Sequence, residues 1–96
     1  MTGMQISDSI NTAAVPAQVV AASKINWGVP IDAYLMDAAR VGDRYAAEAF
    51  LDRSGRVSDG MTVATPPVIT LMHKDRFKLV RSESHKDHYV IVTEQT

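Results

Sequence analysis

This chain of 96 residues has no cysteine, few aromatic residues and no long apolar run. The lack of cysteine excludes disulfide bonds, thiolate nucleophiles and cysteine-ligated zinc sites. Aromatic residues make up 6% of the sequence, and alanine supplies much of the apolar share. Because large side chains are scarce, we expect a thin core that dimerisation would supplement.

Neither sign of charge is in strong excess. The chain has ten basic and eleven acidic residues, and its formal net charge is −1. A protein held to nucleic acid by phosphate neutralisation usually carries a basic block, which is missing here. No run approaches the ~20 apolar residues that cross a bilayer, and residues 1–10 lack the basic and apolar regions of a signal peptide. The composition therefore predicts a cytoplasmic protein without membrane contact.

The chain changes character near Gly60. Before this residue alanine is the commonest apolar residue and occurs at helical spacing, and after it Val, Ile, Thr, Tyr and Phe occur in short alternating runs. Helices followed by a small antiparallel sheet predict a single α+β domain over residues 13–96. Residues 1–12 are polar and predict a flexible N-terminal arm.

The first part of the chain predicts three helices, at about residues 15–25, 30–40 and 43–53. Pro16 and Pro30 suit the first turn of a helix, where a missing N–H costs nothing. Gly42 suits the end of the second helix, and Asp43 suits the N-cap of the third. The first helix has a competing interpretation as a strand through residues 18–20.

The second part predicts three strands, at about residues 68–72, 77–82 and 88–93. Short connections favour antiparallel neighbours, so we expect a three-stranded meander on which the helices pack. Residues 61–65 also have the composition of a short strand, which Pro66 and Pro67 interrupt. The last strand has no proline or lysine to prevent pairing. Unless helices cover it or it lies inside the sheet, this strand offers an edge for a second copy or another chain.

A helix-turn-helix is the alternative interpretation of the two central helices. Ala38 and Gly42 have the spacing of the small residue and the turn glycine in that motif, and a β-hairpin wing would follow. Glu48 and Asp52 would lie on the recognition helix and repel phosphates. The side chains that would contact DNA are Arg40, Arg44, Arg53 and Arg56.

The sequence shows no pattern that specifies a reaction. His85 and His88 form an H-x-x-H pair and His73 is a third imidazole, but turn residues are polar in any case, and we expect no metal site. Nucleophile elbows and glycine-rich phosphate loops are absent. We therefore predict no catalytic residues, no cofactor and no enzyme activity.

The aromatic side chains carry the functional prediction. Trp and Tyr are favoured interface anchors, because they bury a large area at little rotamer cost. Trp27 has the competing interpretation of a core residue that fills the gap between helices and sheet. The sequence predicts a small binding protein, acting as a regulator, an inhibitor or an accessory subunit of a mobile element, with another protein as partner. The predicted contact residues are Trp27, Tyr34, Tyr45 and Tyr89.

Overall fold

The structure is a computed structural model that describes residues 14–95. These residues form a six-stranded mixed sheet and one short helix. The elements in chain order are α1 (Ala17–Ser23), β1 (Ala33–Val41), β2 (Arg44–Phe50), β3 (Met61–Ala64), β4 (Val68–Lys74), β5 (Phe77–Ser82) and β6 (His88–Ile91). The strand order is β3-β2-β1-β6-β5-β4. Strands β1 and β6 are parallel, and the other neighbours are antiparallel. The predicted arm over residues 1–12 lies outside the described residues.

The sheet is strongly curled, because its two edge strands are consecutive in the chain. Only residues 65–67 connect β3 to β4. A flat sheet of this size would separate its edges by about 24 Å, whereas the connection spans at most about 14 Å. The connection also bonds to the β1–β2 hairpin, since Thr65 N–H donates to the Tyr45 carbonyl and Val68 N–H to the Asp43 carbonyl, both at 2.8 Å. The sheet therefore forms an open barrel.

The inner face of this barrel carries four alanines among its nine buried side chains. Its buried residues are Ala33, Leu35, Ala38, Tyr45, Ala47, Ala49, Val68, Val80 and Ile91. Strand β2 alternates strictly, with Tyr45, Ala47 and Ala49 buried. Because alanine dominates β1 and β2, the inner face carries less bulk than a barrel of leucine and valine would.

The outer face of the sheet packs against α1 and the segment that follows it. Val19, Ala22 and Trp27 contact a set of buried sheet residues that consists of Tyr34, Phe50, Phe77, Leu79, Val90 and Val92. The Trp27 indole N–H donates to the Ala22 carbonyl at 3.0 Å and so satisfies its one polar atom. The core thus has two layers, one on each face of the sheet.

The predicted fold class is wrong. The helices expected over residues 30–40 and 43–53 are strands β1 and β2, and the three-stranded meander is only part of the six-stranded sheet. Apolar residues occur at consecutive positions, as at Tyr45, Ala46 and Ala47, and imitate helical spacing, although the outer face of β2 is exposed at Glu48. Alanine strengthened this error, because its intrinsic preference is helical and tertiary packing overrode it.

A tight turn explains the positions of Gly42 and Asp43. Val41 pairs with Arg44, so Gly42 and Asp43 form a two-residue hairpin loop in which Gly42 has φ +64°. The left-handed conformation expected at Gly42 is present, but it turns a hairpin and does not end a helix. Helix α1 and strands β4, β5 and β6 lie within or close to the ranges predicted for them.

Candidate protein-binding surface

Strand β4 is an edge of the sheet that exposes apolar side chains. Within residues 14–95 it pairs with β5 on one side and with no strand on the other. All of its residues after Val68 are exposed. Ile69, Leu71 and Met72 are 40%, 41% and 44% exposed. A free row of backbone N–H and C=O groups beside three large apolar side chains is suited to binding an extended chain.

A bulge divides this edge into two short runs. Thr70 pairs with Val80 and Met72 pairs with Leu79, so Leu71 is the extra residue. Bulges are one of the features that protect edges, because they increase local twist. The bulge therefore limits the length of a partner segment but leaves the apolar side chains accessible.

The surroundings of β4 are basic. Arg81 pairs with Ile69 across the ladder, and its Nε is buried without a hydrogen-bond partner among the described residues. Lys74 and Arg76 are exposed at the far end of the strand, next to Asp75. An acidic side chain on a bound segment would find complementary charge at Arg81 and at the far end of β4, whereas Asp43 and Glu83 lie at the start of the strand.

The opposite edge is a weaker candidate. Strand β3 has four residues, and Pro66 and Pro67 follow it closely. Met61 is 51% exposed, but Val63 is partly buried against the inner core. A short edge bounded by prolines offers few backbone groups to a partner.

Three of the four predicted contact residues lie in the core. Trp27 is 5% exposed, Tyr34 is 9% exposed and Tyr45 is 1% exposed. Burial also raises the pKa of the Tyr34 hydroxyl. These side chains have no surface to offer, and the competing interpretation of Trp27 as a core residue matches its position. Tyr89 is partly exposed and lines the interior of the barrel.

The last strand is not an edge. Strand β6 lies between β1 and β5 and pairs with both. The dimer expected through this strand therefore has no free edge to use. The consecutive apolar residues Val90 and Ile91 of β6 reflect burial on both faces, and a central strand needs no residues that prevent pairing.

The structure separates the arginines of the helix-turn-helix interpretation. Arg40 and Arg44 flank the β1–β2 hairpin, and Arg40 Nε donates to the Gly42 carbonyl at 2.8 Å. Arg53 and Arg56 follow the opposite end of β2. The seven residues of β2 span about 20 Å. No recognition helix exists in the described residues, so the structural basis of this interpretation is lost.

The open end of the barrel near the hairpin holds a cation-rich cluster around Tyr45. Lys78 Nζ donates to the Tyr45 hydroxyl at 2.8 Å and forms an ion pair with Glu94. Arg40 stacks over the same ring, with its guanidinium carbon 5.6 Å from the centroid. Burial by itself lowers the pKa of Lys78, but its bonds to Glu94 and Tyr45 outweigh that effect and raise the pKa. The cluster closes this end of the barrel.

The histidines form no metal site in the described part of the chain. His73 lies on β4, whereas His85 lies in the β5–β6 turn with φ +69° and His88 begins β6. Within residues 14–95, no group of three or more histidine, aspartate or glutamate side chains is arranged to hold a metal ion. The single described helix has seven residues and is too short to cross a membrane.

Comparison with protein-family models, with curated proteins and with solved structures finds no match to this chain. Function therefore has to be argued from the geometry described above. The feature that sequence reasoning missed is the β4 edge. Residues 68–72 were expected to form a strand, and only the order of strands in the sheet makes that strand an edge.

Proposed function

We propose that this chain is a small non-enzymatic protein-binding module that binds an extended segment of another protein along β4. The observation that carries the proposal is the free edge of β4 with its exposed Ile69, Leu71 and Met72. The partner segment would continue the sheet and satisfy backbone groups of β4. Each such hydrogen bond contributes about 1 kcal/mol net.

The charge around β4 defines the chemistry of the partner. Lys74 and Arg76 outnumber Asp75 at the end of β4, and Arg81 lies opposite Ile69, whereas the acidic residues Asp43 and Glu83 lie at the start of the strand. A carboxylate of the segment beside Ile69 would pair with the guanidinium of Arg81, which lies opposite Ile69 on β5. The segment that fits best alternates apolar and acidic residues, with the apolar side chains against Ile69 and Met72.

A displayed library of random peptides tests this proposal. We expect selection on the purified protein to enrich extended peptides that alternate apolar and acidic residues. Synthetic versions of these peptides should bind with measurable fluorescence anisotropy. Replacing two of their acidic residues by lysine should weaken binding at least about tenfold, because each desolvated charge pair contributes on the order of 1 kcal/mol or more.

Matched variants of the protein locate the site. Leu71→Glu and Met72→Glu remove an apolar contact, repel an acidic segment and should weaken peptide binding at least about tenfold. Val20→Glu is the control, because Val20 is 38% exposed on α1 and does not belong to β4. Circular dichroism verifies that all three variants fold. Peptides that bind the β4 variants as tightly as the original protein would contradict the proposal.

Sedimentation velocity separates a second copy from a different partner. We expect the protein to remain a monomer at micromolar concentration, because the exposed part of β4 is small compared with the ~800 Å² per partner of a stable interface. Self-association that Leu71→Glu abolishes would instead assign the edge to a second copy of this chain.

A further inference from the structure

The inner side of the barrel contains a cavity of about 230 Å³. Ala33 of β1, Ala49 of β2, Val63 of β3 and Tyr89 of β6 line its walls. Residues of the loop after β2 line its entrance. The cavity lies away from the free edge of β4, so it is a feature independent of the proposed protein-binding surface.

The cavity exists because alanine occupies positions where barrels usually place larger side chains. Ala33 and Ala49 are 5% and 2% exposed, so both are true interior positions. Protein interiors are normally packed to the density of organic crystals, and voids larger than one water are few. A space of this size within a chain of 96 residues is large enough for a small organic molecule.

Three polar side chains reach the otherwise apolar wall. Asp52 lines the entrance, and its Oδ2 accepts hydrogen bonds from the Ser54 hydroxyl and from the backbone N–H groups of Arg56 and Val57. The Ser54 bond lowers the pKa of Asp52 against the effect of burial, and backbone bonds add to the lowering. The carboxylate is therefore charged at neutral pH, and its Oδ1 accepts no hydrogen bond within the described chain.

Thr65 and Tyr89, which carry hydroxyl groups, line the same cavity. Thr65 is 3% exposed, and its Oγ1 accepts the Tyr45 backbone N–H at 3.0 Å, which leaves the hydroxyl proton available to donate. The Tyr89 hydroxyl makes no hydrogen bond within residues 14–95, and its ring forms one wall. An aromatic face beside a carboxylate is a favourable environment for an ammonium group.

The local charge is negative. Burial first, and then the carboxylates of Asp87, Asp32 and Asp52, raise the pKa of Tyr89 to about 12. None of the described residues that line the cavity is a cation. Arg53 Nη1 is 3.8 Å from Asp32 Oδ1, and the Arg53 side chain is 62% exposed. An anionic ligand would therefore be repelled.

We propose that this cavity binds a small apolar molecule that carries one ammonium group, with its apolar body between Ala33, Ala49 and Val63 and its charge beside Asp52 and Tyr89. An apolar protein cavity of about 150 Å³ accommodates benzene. The cavity described here is larger, at about 230 Å³, and has room for a phenyl ring with a short alkylammonium arm.

Three probes of nearly equal size and different charge test the proposal. They are phenethylammonium, the neutral 2-phenylethanol and the anion phenylacetate. Titrations followed by two-dimensional nitrogen–proton NMR should show saturable shifts of the Ala33, Ala49 and Val57 amides with phenethylammonium, with a dissociation constant of about 0.1–1 mM. We expect 2-phenylethanol to bind about tenfold more weakly and phenylacetate to produce no saturable shift.

Two variants separate the apolar and charged parts of the site. Ala49→Leu fills the cavity and should weaken phenethylammonium binding at least about tenfold. Asp52→Asn keeps a side-chain oxygen for the loop N–H groups and removes the charge. It should weaken the ammonium probe about tenfold and leave the alcohol unchanged. Asp59→Asn is the matched control, because Asp59 accepts a backbone N–H from Leu51 in the same loop but does not line the cavity.

The NMR spectra also report whether each variant remains folded, so a folding defect cannot be mistaken for lost binding. The absence of saturable shifts with all three probes would overturn the proposal. Phenylacetate binding as tightly as phenethylammonium would overturn it as well. Phenethylammonium binding that Asp52→Asn leaves unchanged would also overturn the proposal.

Discussion

Replacing Trp27 by alanine should destabilise the whole domain. The indole is 5% exposed, packs between α1 and the sheet, and donates its N–H to the Ala22 carbonyl at 3.0 Å. Burying a Trp side chain removes about 200 Å² of surface from water, and at about 25 cal/mol per Å² this contributes about 5 kcal/mol. Partial collapse of the remaining space brings the expected loss to about 4 kcal/mol.

This loss is large for a domain of this size. Domains of about 100 residues have unfolding free energies of roughly 5–15 kcal/mol, so Trp27→Ala removes between a quarter and most of the total. Urea unfolding followed by far-ultraviolet circular dichroism measures it, since the variant lacks the only tryptophan as a fluorescence probe. The midpoint should fall while the slope of the transition stays the same.

Trp27→Phe and Val41→Ala are the matched controls. Phe keeps a ring at the site and loses the N–H, and the Ala22 carbonyl retains the Ile25 N–H at 3.2 Å as a donor. We expect a loss of about 1–2 kcal/mol for Trp27→Phe. Val41 is 66% exposed, and its replacement should change the unfolding free energy by less than about 0.5 kcal/mol. A loss below about 1 kcal/mol in Trp27→Ala would refute the placement of this residue in the core.

Three further perturbations test other parts of the fold. The pKa of Tyr89 rises from 10.0 to about 12 on folding, because the folded state holds the proton of the Tyr89 hydroxyl more tightly. This group therefore leaves stability unchanged below pH 10 and lowers it between pH 10 and about 12. Urea unfolding across this range should show a smaller decrease in Tyr89→Phe, and an equal decrease would contradict the assignment. Lys78→Met removes the bond to the Tyr45 hydroxyl and should cost about 1–3 kcal/mol, whereas Glu94→Gln should cost less than about 1 kcal/mol, because Glu94 is 40% exposed. Chemical denaturation of both variants measures the two losses of unfolding free energy. Equal losses would contradict the prediction. Arg76→Gly should raise the unfolding free energy by about 0.5–1 kcal/mol, because Arg76 has φ +69° in the β4–β5 hairpin. A melting temperature below that of the original protein would show that the substitution relieves no backbone strain.

The strands in the second part of the chain could be predicted from the sequence because the local sequence patterns there agree with one another. In β5, Phe77 and Leu79 face the helix while Val80 faces the barrel interior, and a two-residue turn precedes them. β-Branched residues, alternation and turns of the right length all favour strands there. The short α1 was readable for the same reason, since Val19 and Ala22 are spaced for one buried face.

The first part misled because its local preference opposes its final structure. Residues 33–50 are rich in alanine, a strong helix former. The strand pattern in β2 is the alternation of Tyr45, Ala47 and Ala49, which the structure shows to be buried. That signal is masked by the apolar Ala46 and Phe50 on the other face. The pairing of β1 with β6, which are far apart in sequence, supplies the stabilisation that local preference does not.

The candidate sites depend on the same distant pairings. The apolar residues Ile69, Leu71 and Met72 are visible in the sequence, but their exposure follows from the position of β4 at the end of the strand order. The cavity residues come from four separate strands and a loop. No spacing rule connects Ala33 with Asp52 and Tyr89.

The sequence by itself determined the absence of disulfides and of cysteine chemistry, the balanced charge, and the strands from Val68 onward, because composition and short-range alternation carry that information. Tertiary structure decided which strand became an edge, that Trp27 is in the core, and that an alanine-lined barrel encloses a cavity. The physical reason is that burial on both faces of a sheet and closure through residues 65–67 depend on contacts between distant segments, which no local pattern encodes.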